Sequence, residues 1–165
     1  MTSTAAKGFS MIELLIVIAI MTILTVIGTS SFAKYRQNAA LKEAVYALEA
    51  DLNAAKLNAI AQRTNYRVTY NAGTNTYRIQ GGTYDVTKKL SDYGYNTRVY
   101  MLLYFPSTTS YTFTARGVML ENPTTCTTTA TNCYFDVLIR NQRGSCIHVR
   151  VTHMGSVKRW IHQII

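Results

Sequence analysis

The fold is decided near the start of the chain, by the stretch Lys7-Gly8-Phe9-Ser10-Met11-Ile12-Glu13-Leu14-Leu15-Ile16-Val17-Ile18-Ala19-Ile20. This stretch leads into a segment, residues 14–33, that contains neither a charged residue nor a proline. About 20 helical residues at 1.5 Å each span roughly 30 Å, which is the thickness of the hydrocarbon core of a bilayer. The segment therefore predicts a helix long enough to cross a membrane.

The order of small and apolar residues is not that of an ordinary secretory signal peptide, in which the cleavage site follows the apolar region. Here Gly8 stands before the apolar residues and directly behind Lys7. Cleavage between Gly8 and Phe9 would leave the whole apolar helix on the mature protein. We therefore expect residues 1–8 to be a cleaved leader and the helix to be kept as a working part.

Glu13 is an acidic residue with apolar neighbours on both sides. A charged side chain within a bilayer costs several kcal/mol, so an intramembrane carboxylate usually has a partner of opposite charge. The nearest candidate is the new N-terminal ammonium on Phe9 of a neighbouring copy or sister subunit. The alternative is that Glu13 marks the membrane interface, where a carboxylate costs little.

The segment from Lys7 to Leu15 resembles the class III signal of type IV pilins and type II secretion pseudopilins. The shared features are a basic residue, the Gly8-Phe9 pair, an acid at the fifth place of the mature chain and a long apolar run. The resemblance implies that a dedicated prepilin peptidase cuts after Gly8, that the new N-terminus on Phe9 is methylated, and that Glu13 aligns each subunit in the filament.

The same resemblance implies a location and a set of partners. The protein would be a single-pass protein of the inner membrane before assembly, with its head in the periplasm or outside the cell. It would then join a pilus or pseudopilus with other major and minor pilins or pseudopilins.

Residues 9–63 are predicted to form one helix with two different halves. After the apolar half, apolar residues recur at alternating steps of four and three, at Leu41, Val45, Leu48, Leu52, Ala55 and Ala59. That spacing is one stripe of an amphipathic helix, which needs a surface to cover. The chain therefore divides into the leader (1–8), a transmembrane or filament-core half-helix (9–33), and a second half-helix with the head that it supports (34–165).

Beyond Arg63, short alternating segments separated by polar turns predict antiparallel strands. Residues 66–80 are typical of a hairpin with its turn at 71–75, and the segment 146–152 alternates between apolar and polar residues like a half-buried strand. The predicted fold class is α+β: a long N-terminal helix packed on an antiparallel β-sheet head, the pilin-like architecture that the resemblance also implies.

Tyrosine is frequent, with 12 copies, most of them between Tyr66 and Tyr111. Aromatic residues at alternating strand positions usually pack against neighbouring strands, and we expect that role here. The alternative is a stacking surface for unpaired bases.

Three cysteines lie far from the apolar segment, at Cys126, Cys133 and Cys146. Disulfides are permitted in a head outside the cytoplasm. Because Cys126 and Cys133 bracket a small polar loop, we predict a disulfide between them, which leaves Cys146 as the odd cysteine.

The composition gives no sign of a catalytic or metal site. There is no Cys-x-x-Cys pair, the three histidines are not at helical ligand spacing, and no nucleophile–base set or glycine-rich phosphate loop can be identified. We therefore predict no enzymatic activity, no metal and no cofactor.

Two later stretches resemble the GspH/FimT branch of minor pilins and pseudopilins: Phe113-Thr114-Ala115-Arg116-Gly117 and Gly155-Ser156-Val157-Lys158-Arg159. Members of that branch sit at or near the filament tip and help to prime assembly. Some competence-related members bind DNA through a Gly-Arg-x-Arg motif at the second stretch. Here Gly155 matches that motif, whereas Ser156 and Lys158 replace the two arginines.

The chain is strongly basic, with a formal net charge of +9 and a pI near 9.6. Such a charge either favours a polyanionic partner or serves solubility alone. From residue 134 to residue 165 a single acid, Asp136, accompanies the basic residues Arg140, Arg143, Arg150, Lys158 and Arg159. These five residues are the candidates for DNA binding, through phosphate contacts that do not read sequence and that weaken with salt.

Two functions therefore stay open. The first is a minor type IV pilin of the GspH/FimT type that takes part in pilus assembly and priming at the filament tip, either with or without binding DNA for uptake. The alternative is a minor pseudopilin of a type II secretion system without DNA binding.

Overall fold

The computed structural model describes residues 9–93, 99–103, 110–121 and 134–163. The predicted cleavage at Gly8 and the predicted disulfide between Cys126 and Cys133 lie outside these residues. Cys146 is a free cysteine and is buried. The chain divides into two compact units, Met1–Tyr35 and Arg36–Ile165.

The fold consists of one long helix followed by two antiparallel sheets. The elements in chain order are α1 (Met11–Gln62), β1 (Tyr66–Asn71), β2 (Thr76–Gly81), β3 (Tyr84–Lys89), a short 3-10 turn (Leu90–Asp92), β4 (Val99–Leu103), β5 (Ser110–Phe113), β6 (Met119–Glu121), β7 (Tyr134–Asn141), β8 (Cys146–Thr152) and β9 (Val157–Gln163). Sheet A has the order β3-β2-β1-β5-β6, and sheet B has the order β4-β7-β8-β9. The predicted fold class, α+β with a long N-terminal helix and an antiparallel head, is confirmed.

In the first unit, every described side chain is exposed, although most are apolar. By length and composition, α1 is able to cross a membrane. Thr22 and Thr25 place polar hydroxyls in this apolar part of α1. Each hydroxyl donates to a backbone carbonyl one turn earlier, that of Ile18 for Thr22 and that of Met21 for Thr25. An apolar surface of this extent requires lipid or neighbouring protein to cover it.

In the second unit, the amphipathic stripe of α1 is buried against the sheets. Every residue of the predicted stripe, from Leu41 to Ala59, belongs to the hydrophobic core. Sheet B contributes Val137, Val149 and Val151, which face inward along β7 and β8. The predictions of an amphipathic half-helix and of a half-buried strand at 146–152 are therefore confirmed.

Tyrosines form the aromatic part of this core. The buried rings are Tyr66, Tyr70, Tyr77, Tyr111, Phe113 and Phe135. The hydroxyls of Tyr70 and Tyr111 share a hydrogen bond of 3.1 Å, and the Tyr70 ring stacks on Phe135 with 5.2 Å between centroids. Cross-strand packing is thus the role of these four tyrosines, which present no ring face to a nucleic acid.

Strand β3 was not predicted from the sequence, in which the hairpin of residues 66–80 was the pattern recognised in this region. Gly82, with φ of +55°, makes a tight turn that leads directly from β2 into β3. The strand shows no apolar alternation because it is the edge of sheet A, where only its inward residues Val86 and Lys88 are even partly buried. Lys88 donates to Asp51 on α1 at 2.8 Å, and this hydrogen bond raises the pKa of the lysine.

Candidate functional site

Phe9 lies two residues before α1 and Glu13 lies in its first turn, where the sequence predicts processing and assembly. Glu13 is in the first helical turn, and its backbone N–H donates to the carbonyl of Ser10 at 3.1 Å. A carboxylate in the first turn interacts favourably with the N-terminal end of the helix dipole. The Glu13 side chain is exposed and makes no ion pair with any described residue of its own chain. It is therefore accessible to a cation from another subunit.

The two stretches that resemble the GspH/FimT branch form two turns of the same kind. In each, a threonine and the residue four places later, Thr114 with Val118 and Thr152 with Ser156, exchange hydrogen bonds. The two threonine N–H groups each donate to the later carbonyl at 2.9 Å, and each threonine hydroxyl accepts from the later N–H. The glycine at the fourth place of each turn donates its N–H back to the threonine carbonyl. Both Thr-x-x-Gly sequences thus specify the same hydrogen-bonded loop.

These two turns join the sheets to each other. Gly117 lies between β5 and β6 of sheet A, and Gly155 lies between β8 and β9 of sheet B. The backbone N–H of Met119 donates to the carbonyl of His153 at 2.9 Å. Lys56 of α1 packs against both glycines, since a Cβ on either of them would come within 3.2 Å of its Cε. The glycines have a structural role at this joint.

Arg150 lies on the outward face of sheet B and is already paired. Its Nε donates to Asp136 Oδ1 at 2.9 Å and its Nη2 to Asp136 Oδ2 at 2.5 Å. Asp136 lies directly opposite Arg150, on the neighbouring strand β7. The guanidinium also lies over the rings of Tyr134, at 3.8 Å, and Trp160, at 4.7 Å. Donating these hydrogen bonds to Asp136 raises the pKa of Arg150. The Asp136 carboxylate, only 4% exposed, neutralises this arginine.

Arg159 points away from that face. It follows Lys158 on β9, opposite the buried Val149, and it forms an ion pair with Glu49 of α1. Its guanidinium also lies 4.4 Å from the centre of the Tyr46 ring on the same helix. Arg159 therefore ties the last strand to α1.

The other three candidates, Arg140, Arg143 and Lys158, are exposed and have no ion pair with a described residue. Arg140 lies opposite Cys146, and Arg143 lies in the β7–β8 turn, which Asn141 fastens to Asn38 of α1 at 2.9 Å.

Lys158 lies opposite Arg150. Arg150 is four residues after Cys146 on β8, so Lys158 lies about 13 Å along the strand from the position that Arg140 occupies opposite Cys146. The structure thus brings Lys158 close to Arg150, places Arg140 and Arg143 together at the other end of the sheet, and turns Arg159 toward α1.

Sequence reasoning missed Trp160, which shares the outward face of β9 with Lys158. The alternation of side chains along a strand would have placed them together, had residues 157–163 been assigned faces like those of β8. The described residues contain no group of three or more histidines, cysteines or acids that could hold a metal ion.

Comparison with known proteins finds two kinds of similarity. The family model of the prokaryotic N-terminal methylation motif matches residues 3–29. No curated protein matches the chain. Among solved structures, the type IV minor pilin FimU of Pseudomonas aeruginosa strain PAO1, in its P21 crystal form, is similar with a TM-score of 0.53 at 17% identity, over 75% of this chain and 90% of that one. Its P65 crystal form gives a TM-score of 0.49 at 15% identity, over 72% of this chain and 91% of that one.

The methylation motif lies in the N-terminal segment, and the fold of the described residues is pilin-like. A pilin-type N-terminal motif implies cleavage by prepilin peptidase and assembly with other pilins. The motif and the apolar helix also fit anchoring in the inner membrane, followed by incorporation into a pilus.

Proposed function

We propose that this protein is a minor type IV pilin of the GspH/FimT type, which takes part in assembly and priming at the filament tip. The observation that carries the proposal is the methylation motif at residues 3–29, which leads into a helix whose described apolar side chains are exposed up to Tyr35. The similarity of the fold to that of a minor pilin supports it. The role is structural and requires no catalytic residue.

Processing and assembly would be linked through one new charge. Cleavage after Gly8 frees the amine of Phe9, which is then methylated and remains cationic. In an apolar environment this ammonium and the Glu13 carboxylate of the adjacent subunit would neutralise each other, which offsets the cost of placing either charge there. The exposed apolar side chains of α1 would then be covered by neighbouring helices in place of lipid.

The test compares two single substitutions on α1. Glu13→Ala should remove the protein from sheared filaments, or abolish piliation, while leaving it in the membrane. Glu43→Ala is the matched control, because Glu43 is also an exposed acid of α1 without an ion pair to a described residue. Gly8→Ala should block cleavage and have the same effect as Glu13→Ala. Normal incorporation of Glu13→Ala would contradict the proposal.

The same strains distinguish a pilus from a type II secretion pseudopilus. For a minor pilin, loss of the protein reduces surface piliation and leaves protein secretion intact. If loss of the protein blocked the secretion of exported enzymes and left the pili unchanged, the pseudopilin alternative would replace the proposal.

We propose as a second function that the head binds DNA. Three exposed cations that have no ion pair with a described residue support this, together with the net charge of +9: Arg140, whose guanidinium lies 5.9 Å from the centre of the Tyr100 ring, Arg143 and Lys158. The mature chain in neutral detergent micelles should bind DNA with an affinity that falls steeply with salt, and Lys158→Ala should reduce the slope of that dependence by about one. Lys89→Ala is the matched control, since it removes an exposed lysine from sheet A. Equal effects of the two variants would show that the binding is not localised to sheet B.

A further inference from the structure

Trp160 is the single tryptophan of the chain, and its side chain is 43% exposed on the outward face of β9. Six aromatic side chains of the head are buried in its core, whereas this indole is partly exposed on a strand. We propose that Trp160 is a stacking platform for an unpaired DNA base, which makes the head bind single-stranded DNA in preference to duplex. The inference rests on the proposed DNA binding and adds to it the type of strand and a residue.

The ring of Trp160 is held in position by its neighbours. On the adjacent strand β8, the Arg150 guanidinium lies 4.7 Å from the Trp160 ring and 3.8 Å from the ring of Tyr134 on β7. The two hydrogen bonds to Asp136 fix the orientation of that guanidinium. Because the indole is already ordered before a ligand arrives, little rotamer entropy remains to be lost on binding.

The charge around Trp160 favours an anionic ligand. Lys158 stands two residues earlier on the same face of β9, about 6.6 Å away along the strand, and is exposed. Among the described side chains of this outward face the one acid is Asp136, which is buried and paired with Arg150. A base stacked on Trp160 would therefore place its phosphate within reach of the Lys158 ammonium.

Three other aromatic residues of the second unit are less suited to this role. Tyr70 and Tyr111 are buried in the core, and Tyr46 lies on α1, on the side of β9 that faces away from Lys158. In a duplex, each base is stacked on its neighbours and paired, so its ring face is not available to a protein without unstacking. Stacking on Trp160 therefore selects for single strands, whereas Lys158 alone does not.

The experiment uses the fluorescence of the single tryptophan as its first readout. The mature chain in neutral detergent micelles is titrated with an oligothymidylate and with a duplex of mixed sequence. We expect the oligothymidylate to quench Trp160 and the duplex to leave it unchanged. Binding of the same DNAs, labelled with a dye, is followed by anisotropy so that variants without tryptophan can be compared.

Three variants separate stacking from folding. Trp160→Ala should weaken oligothymidylate binding roughly 5- to 100-fold, since one base–aromatic stack is lost. Trp160→Phe keeps a ring and should retain most of the affinity. Ile161→Ala is the matched control, because Ile161 is an exposed apolar neighbour that faces the other side of β9. Circular dichroism of each variant reports whether the head remains folded.

The outcomes distinguish the inference from the proposal beneath it. If the wild-type chain bound neither DNA at low salt, DNA binding itself would fail. If it bound both DNAs equally and Trp160→Ala changed neither, DNA binding would stand and the stacking role would be overturned. Loss of affinity in Trp160→Phe equal to that in Trp160→Ala would also overturn it, because the ring would then not be what the DNA contacts.

Discussion

Gly117 and Gly155 meet back to back where the two sheets join, so closely that a Cβ on Gly155 would lie 2.1 Å from the carbonyl oxygen of Gly117. Both residues have positive φ angles, +75° and +68°. Each belongs to a Thr-x-x-Gly turn with the same hydrogen bonds. The glycines that carry the resemblance to the GspH/FimT branch are therefore explained by the joint between the sheets, and the candidate DNA contacts stand apart from them.

Gly155→Ala should be among the most destabilising single changes in the head. The methyl group would overlap the Gly117 backbone, which cannot move without displacing the β5–β6 turn, and alanine is strained at positive φ by about 1–2 kcal/mol. We expect a loss of more than about 3 kcal/mol in the free energy of unfolding. Chemical denaturation followed by circular dichroism measures it.

Gly144→Ala is the control for that measurement. Gly144 also has a positive φ, of +90°, but it is exposed in the β7–β8 turn. Gly144→Ala should lower the free energy of unfolding only by the conformational strain of alanine at positive φ, about 1–2 kcal/mol. Equal losses for the two variants would mean that the contact between the two glycines contributes nothing.

Arg150 and Arg78 form ion pairs of nearly identical geometry in different surroundings. Each donates Nε and Nη2 to the two oxygens of one aspartate, at 2.9 and 2.5 Å for Arg150 with Asp136, and at 2.8 and 2.5 Å for Arg78 with Asp85. Asp136 is 4% exposed, whereas the Asp85 side chain is 48% exposed.

Arg150→Met should therefore cost about 2–3 kcal/mol of unfolding free energy, because it leaves a buried carboxylate unpaired. Arg78→Met should cost at most about 1 kcal/mol, because water solvates Asp85. Denaturant unfolding of both variants under one set of conditions makes the comparison. A larger loss for Arg78→Met would show that burial of the acid is not what determines the cost.

Alkaline pH should unfold the head through its buried tyrosines. Burial, which disfavours the phenolate, raises the pKa of Tyr70, Tyr77 and Tyr111 above the usual value near 10, and the hydrogen bond to Asp51 raises that of Tyr77 further. The unfolded chain loses these protons above about pH 10 while the folded chain keeps them, so stability is full below that pH and falls above it.

Each such tyrosine should lower the free energy of unfolding by about 1.4 kcal/mol per pH unit above pH 10. The combined Tyr70→Phe and Tyr111→Phe variant should lose two of these contributions. Replacing both partners of their hydrogen bond also avoids leaving one buried hydroxyl unsatisfied. Unfolding free energies measured in steps from about pH 9 to pH 12 give the slopes. An unchanged slope in the double variant would show that these two phenols do not control the transition.

The sequence was most informative where one pattern repeats over many residues. The stripe from Leu41 to Ala59 and the alternation through Ile147, Val149 and Val151 both predicted the buried faces correctly. It failed for β3, an edge strand that carries polar residues and whose partly buried Lys88 donates a hydrogen bond to Asp51 of α1. Local patterns contain no information about such a long-range partner.

For the candidate DNA site, the sequence indicated which residues are basic but not which of them already form ion pairs within the head. The five basic residues look equivalent in sequence, yet Arg150 and Arg159 are occupied by Asp136 and Glu49. Glu49 lies 110 positions away along the chain, so no local spacing could have revealed that pair. Trp160 was overlooked because residues 157–163 combine exposed aromatic and apolar residues with charges and show no simple alternation.

Lys158 and Arg159 are neighbours in sequence and should respond in opposite ways to substitution. Lys158 is exposed beside Trp160, so Lys158→Ala should weaken DNA binding and change the unfolding free energy by less than about 0.5 kcal/mol. Arg159 pairs with Glu49 and lies over Tyr46, so Arg159→Ala should cost about 1 kcal/mol of stability and leave DNA affinity within about twofold.

Measuring denaturant unfolding and the salt-dependent DNA titration on each single variant separates the two effects, which a double substitution would combine. Glu49→Ala is the control for Arg159, because it breaks the same ion pair from α1 and should lower stability to a similar extent without weakening DNA binding. The contrary outcome is that Arg159→Ala reduces DNA affinity as much as Lys158→Ala while Glu49→Ala does not. The Arg159 guanidinium would then have to leave α1 to contact DNA, and its ion pair with Glu49 would exist only in the free head.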